Sequence, residues 1–94
     1  MTQHLAALLE RIARRDPDAM LKFYDRTASR VFGVLGTRIV DPEVREHVME
    51  RIYLEVWDTA DSYDPEAASP GAWLITLTHR MAVDYDDTAS LPAA

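Results

Sequence analysis

The residues of this 94-residue chain that are able to do chemistry are few and scattered. Its histidines are His4, His47 and His79, and no two of them stand at the four-residue spacing by which a helix presents paired imidazoles to a metal ion. The acidic series Asp58, Asp61, Asp64 and Glu66 lacks the alternate-position oxygens and central glycine of a calcium loop. There is no cysteine, so no thiolate ligand, thiol nucleophile or disulfide can form. No glycine-rich phosphate loop, nucleophile elbow or paired-carboxylate motif appears. These patterns point away from an enzyme, and neither a cofactor nor a metal site is expected. The remaining chemistry is that of binding: aromatic side chains and charges carried on helix faces.

The charges are unevenly placed. Residues 1–57 hold nine basic and nine acidic side chains, whereas residues 58–94 hold Arg80 alone against Asp58, Asp61, Asp64, Glu66, Asp84, Asp86 and Asp87. The whole net charge of −6 therefore sits in the last third, an unpromising footprint for a surface that lies along phosphates. Apolar residues make up 48% of the chain, enough for one packed core and too many for a disordered segment. The start Met1-Thr2-Gln3-His4 lacks a basic signal-peptide opening, and no run approaches the ~20 apolar residues of a membrane span. A soluble, cytoplasmic protein with no membrane partner is expected.

The elements that must position these residues are helical. Asp16-Pro17, Asp41-Pro42 and Ser69-Pro70 each join a capping side chain to a proline at the first helical position, where its missing N–H costs nothing. They predict helices over about Pro17–Val40, Pro42–Ala60 and Pro70–Asp84, after an unmarked first helix over Thr2–Arg15 with Leu5, Leu8, Leu9 and Ile12 on one stripe. The second helix carries Leu21, Tyr24, Ala28, Val31, Leu35 and Ile39 as its apolar stripe, widened by Phe23 and Phe32. Gly33 and Gly36 within it suggest a close approach by another helix. The third shows Val48, Ile52 and Val56 on one side with Met49, Tyr53, Trp57 and Ala60 beside them. The fourth is apolar nearly all round its first turns, at Ala72, Trp73, Leu74, Ile75 and Leu77, as suits the middle of a bundle. The expected fold is all-α, a compact bundle of about four helices over residues 1–84, with a loop at Asp61–Ser69 and a frayed tail over residues 85–94.

Three stretches together carry a family resemblance. The third helix, from Asp41 through Glu46-His47-Val48-Met49-Glu50-Arg51 to Leu54-Glu55-Val56-Trp57, resembles the second conserved region of bacterial extracytoplasmic-function (ECF) sigma factors. Ala60-Asp61-Ser62-Tyr63-Asp64-Pro65 and Ala72–Asp84, which includes Ala72-Trp73-Leu74 and His79-Arg80, are similar to the loop and helix that follow in that family, and Phe23–Gly33 fits its first conserved region. The match covers about residues 5–84 and is most like the sigma K-like branch of the family. It departs where the family usually reads E-D-x-x-Q-E, since this chain has His47, Glu50 and Arg51 in place of Asp, Gln and Glu. The usually basic fourth helix here ends in Met81, Tyr85, Asp86 and Asp87.

The resemblance implies a sigma-2 (region 2) domain that binds core RNA polymerase through the β′ clamp coiled coil and captures the single-stranded promoter −10 element in transcription initiation. An anti-sigma factor is a further partner it implies. Carried over by position, the polymerase face comprises Glu46, His47, Glu50, Arg51, Tyr53 and Trp57, and the DNA side comprises Ser62, Tyr63, Ser69, Thr76, His79 and Arg80. Trp57 and Trp73 also lie on apolar faces and suit core packing. The expectation from the sequence is a region 2 domain without a sigma-4 domain. The altered charges leave a second expectation open: a sigma-2-like interaction protein, a decoy or regulator, that has lost promoter binding.

Overall fold

Each expected capping pair opens a helix. Asp16 accepts the backbone N–H groups of Asp18 at 3.0 Å and Ala19 at 3.4 Å, Asp41 that of Glu43 at 2.9 Å, and Ser69 Oγ that of Ala72 at 3.1 Å. These caps satisfy donors that a helix start leaves open. The computed structural model describes the backbone of residues 2–90 and the side chains of residues 5–85. Its helices are α1 (Thr2–Ala13), α2 (Pro17–Gly36), α3 (Pro42–Thr59) and α4 (Pro70–Ser90), with a 3-10 turn at Ala60–Ser62 closing α3. Among the described residues there is no strand, and none of the helices is long and apolar enough to cross a membrane. The side chain of His4 and the last four residues of the expected tail lie outside the described residues.

Helix ends depart from the sequence expectation for identifiable reasons. α1 stops at Ala13 because Arg15 turns into the left-handed region, with φ of 66°. Its N–H bonds Ile12 O at 2.8 Å and the Asp16 N–H bonds Arg11 O at 3.1 Å, the paired bonds of a Schellman stop. α2 ends at Gly36, four residues early: Thr37 Oγ1 donates to Val34 O at 2.7 Å, and the Arg38 and Ile39 N–H groups both turn back to Leu35 O. That turn tucks Ile39 into the core and leaves Val40 89% exposed. α4, by contrast, runs six residues past its expected end, to Ser90.

Every helix packs against the other three. Leu9 and Ile12 of α1, Phe23, Val31 and Leu35 of α2, Val48, Ile52 and Val56 of α3, and Leu74, Leu77 and Ala82 of α4 form the buried core. On α2 the buried row is Ala19, Phe23, Thr27, Val31 and Leu35. The expected stripe is corrected there: Leu21 is 66% and Tyr24 42% exposed, and both belong to the adjacent row. The expected helix contact at the glycines is also corrected. A Cβ at Gly33 would meet nothing within 4 Å, and one at Gly36 would meet only the Arg45 side chain at 3.6 Å.

One polar contact crosses the core. Thr27 Oγ1 donates to Phe23 O at 2.8 Å, so its 2.6 Å contact with Tyr53 Oη is one in which the phenol donates to the threonine oxygen. Tyr53 is 6% exposed, with the rings of Phe23 and Tyr24 edge-on to its own at centroid distances of 6.4 and 4.7 Å. Burial pushes its phenol up to about 12.

Two outcomes are expected. Because Gly33 is helical and faces open space, Gly33→Ala should raise unfolding stability by about 0.5–1 kcal/mol, measured as a higher urea midpoint at unchanged slope. Tyr53→Phe should cost about 1 kcal/mol at neutral pH, the net value of a neutral hydrogen bond. The native state holds the Tyr53 proton more tightly than the unfolded chain does, so the stabilisation is complete below about pH 10 and is lost as pH rises toward 12. By pH 12 that loss amounts to about 2 kcal/mol in the parent only, so the parent and the Tyr53→Phe variant should exchange order. Denaturant midpoints across this pH range check it; parallel curves would refute it.

Candidate functional site

α3 presents two different surfaces on opposite sides of its buried row. One is a groove between α2 and α3. Two recesses of about 480 and 510 Å³ share Tyr24 and Glu50 and so run together along it. Glu46, Met49, Ala28 and Phe32 line one end, and Leu21, Leu54 and Trp57 line the other. Leu54 is 60% exposed and, with Leu21 and Tyr24, forms an apolar strip left open by the described residues. Glu46 toward one end and Glu50 at the middle sit one turn apart along the groove, a like-charge arrangement that costs a helix a few tenths of a kcal/mol unless a cation arrives.

Helix ends brace both ends of the groove. At the Trp57 end, Arg15 Nη1 donates to Trp57 O at 2.7 Å while its guanidinium lies 5.2 Å from the Trp57 ring centroid. This cation satisfies one of the last carbonyls of α3 and complements the negative end of the helix dipole. At the other end, Arg45 lies 4.9 Å over Phe32 and donates from Nη2 to Val40 O at 2.8 Å, tying α3 to the turn after α2. Beside the Trp57 end, Asp16 is gripped by Arg11 at 3.0 Å from Nε and 2.9 Å from Nη2, which holds its carboxyl below the ordinary carboxylate range.

The second surface is a recess of about 190 Å³ where the end of α3 meets α4, lined by Glu55, Thr59, Ser62, Trp73, Thr76, Leu77 and Arg80. Its hydrogen-bonding capacity can be read from the protons already committed. Thr59 Oγ1 donates to Glu55 O and Ser62 Oγ to Thr59 O, each at 2.7 Å, so these hydroxyls offer only lone pairs to a guest. Arg80 makes no hydrogen bond or ion pair with the described residues and, with Thr76, supplies the donors. Trp73 and Leu77 add an apolar wall. A recess with an aromatic side, separated donors and acceptors and a free guanidinium suits a planar, mixed-edge guest such as an unstacked base with its phosphate.

The expected site residues are thus sorted between the two surfaces and the scaffold. Glu46, Glu50 and Trp57 line the groove, whereas His47 and Arg51 are exposed on a different side of α3. The His47 ring stands edge-on to Tyr85 of α4 at 6.0 Å. Tyr53 also lines the groove, as part of its floor, while its hydroxyl is engaged with Thr27 in the core. Ser62, Thr76 and Arg80 meet in the recess. Tyr63 and Ser69 do not line it. Tyr63 is half-buried, edge-on to Trp73 at 5.7 Å, and donates to Ala68 O at 2.8 Å, so it shapes the loop; loss of hydration there raises its phenol above the ordinary range. Ser69 caps α4, and His79 is exposed outside the recess.

Sequence reasoning did not single out Leu21, Tyr24 and Leu54 for the groove, or Glu55, Thr59 and Leu77 for the recess. The signal for the first set was present: apolar Leu21, Tyr24, Ala28 and Phe32 form a second row on α2, more apolar arc than one core needs. No such periodic signal marks the recess, which joins elements distant in sequence. Among the described residues no group of histidine and acidic side chains is placed to hold a metal ion.

Comparison with known proteins places the chain in a family. The family model for sigma-70 region 2 matches residues 23–86. The ECF RNA polymerase sigma factor SigK of Mycobacterium sp. strain KMS is 51% identical over 84 residues, which are 89% of this chain and 44% of that protein. The SigK proteins of Mycobacterium ulcerans and Mycolicibacterium vanbaalenii are 49% and 44% identical, over 85% and 89% of this chain and 43% of each relative. The chain thus spans less than half the length of these curated relatives. With its four-helix fold and a match over more than half its length, this chain belongs to the sigma-70 region 2 family and is similar to the SigK branch of ECF sigma factors.

Proposed function

We propose that this chain acts in transcription initiation as the region 2 domain of an ECF-type sigma factor, in the cytoplasm and without catalysing a reaction. In this reading the α2–α3 groove docks on the clamp coiled coil of core RNA polymerase, and the recess between α3 and α4 receives a base of the single-stranded −10 element. The observation that carries it is the division of α3 into two exposed faces of opposite character. One is an apolar groove edged by the Glu46 and Glu50 carboxylates, and the other a polar recess with Arg80 as its cation. A helix of a partner coiled coil suits the first, through an aromatic anchor and apolar contacts. A flipped base with its backbone phosphate suits the second. Glu46, Glu50 and Trp57, with Leu21, Tyr24 and Leu54, are assigned to docking. Ser62, Thr76 and Arg80, with Glu55, Thr59 and Trp73, are assigned to the base. Tyr63 and Ser69 act by holding the loop and the start of α4 in place. With Arg80 as the cation among the described residues lining the recess, DNA binding through this surface should be weak by itself.

Two variants separate the surfaces. Leu54→Asp places a charge in the apolar strip and should weaken binding to core polymerase by about tenfold or more, with little effect on folding because the side chain is exposed. Arg80→Ala should leave polymerase binding intact and lower the dependence of log affinity for −10 single-stranded DNA on log salt by about 0.7, the value of one phosphate contact on a single strand. Retention on polymerase with no measurable −10 binding would instead favour the interaction-protein reading. Normal polymerase binding by Leu54→Asp would remove the groove from the docking face.

A further inference from the structure

At the junction of α1, α2 and α3 stands a residue whose backbone is costly and whose side chain serves the groove. Arg15 has φ of 66°, in the left-handed region where a helix stop ordinarily uses glycine because a Cβ is strained there. Its Schellman bonds need only the backbone, and glycine would form them with less strain. Strain of this kind persists where the surroundings use the side chain for something else. Here the guanidinium donates to Trp57 O at 2.7 Å and covers the Trp57 ring at 5.2 Å, while the rest of the arginine stays exposed. Trp57 in turn lines the apolar end of the α2–α3 groove beside Leu21 and Leu54. α1 itself contributes none of the residues lining the groove, and the region 2 match begins only at residue 23.

We propose that Arg15 is a positioning residue for docking: it holds the Trp57 indole against the end of the groove and so makes the stop of α1 part of the polymerase-binding surface. The inference rests on the groove being the docking face. The planar guanidinium is needed because one group must both stack on a ring and donate to a carbonyl, which an ammonium on a flexible stem does poorly. Without it, Trp57 gains rotamer freedom, and that freedom must be lost again on docking.

The test measures affinity for core RNA polymerase and thermal midpoint for the parent chain, Arg15→Gly, Arg15→Lys and Leu54→Asp. Arg15→Gly should bind about fivefold or more weakly. Its midpoint should stay within about 4 °C of the parent, because relief of the left-handed strain offsets the lost contacts. Arg15→Lys should recover less than half of the lost affinity. A second readout needs no polymerase: in a Trp73→Phe background, Arg15→Gly should shift Trp57 emission to the red and raise its quenching by iodide. Binding by Arg15→Gly within about twofold of the parent, full rescue by Arg15→Lys, or unchanged Trp57 emission each overturns the proposal. If Leu54→Asp also binds as the parent does, the groove assignment has failed; if only the Arg15 variants do, the failure is confined to Arg15.

Discussion

A single buried hydrogen bond joins the two helices that form the groove. Tyr53 of α3 donates to Thr27 of α2 at 2.6 Å, and Thr27 passes its own proton to Phe23 O. Such a bond adds only about 1 kcal/mol net, but breaking it strands polar atoms where water does not reach, so its geometric effect exceeds its energy. With the buried row of Val48, Ile52 and Val56, it holds the rotation of α3 about its axis. Successive helix residues are about 100° apart, and a slip of one position would carry Glu46, Glu50 and Trp57 out of the groove and Glu55 and Thr59 out of the recess. Both surfaces therefore depend on the same buried face of α3. Phe23 and Tyr24, edge-on to Tyr53, reinforce it in an arrangement that aromatic quadrupoles favour.

α3 is economical in its use of residues. Val48, Ile52 and Val56 serve the core, Glu46, Glu50, Leu54 and Trp57 the groove, and Glu55 and Thr59 the recess. A small domain buries a modest share of its surface and has few helices to spare. Its arginines substitute for missing bulk at the helix ends: Arg15 on Trp57, Arg45 on Phe32 and Arg11 on Asp16 each join an element end to a neighbour. The acidic character of the last third then has less bearing on the recess than composition suggests. Asp61 and Asp64 are exposed on the connecting loop, and among the described residues Glu55 is the carboxylate that lines the recess.

Much of the fold was legible in the chain because its signals are local. Asp16, Asp41 and Ser69 cap the helices they announce, since capping needs only a side-chain oxygen two or three residues from a free N–H. The α3 core row followed from a four-residue repeat. Of the stripe expected on the second helix, Val31, Leu35 and Ile39 are buried, but Leu21 and Tyr24 belong to a second apolar row beside the buried one, and periodicity cannot say which of two rows a neighbour covers. Thr27, a polar residue inside the core, gave no apolar signal at all. The ends of α1 and α2 shifted because backbone turns at Arg15 and Thr37 intervened before the apolar pattern ran out.

By itself, then, the sequence determined the helical architecture, the starts of three helices, the composition of the core and the family resemblance, since each rests on residue type and on spacing within a turn or two. Tertiary structure alone decided which apolar residues remain uncovered, which way each face of α3 points and which hydroxyls still have lone pairs to give. Those properties depend on contacts such as Tyr53 with Thr27, 26 residues apart, and Arg15 with Trp57, 42 apart. No local pattern encodes such pairs, because packing the four helices together is what brings them into reach.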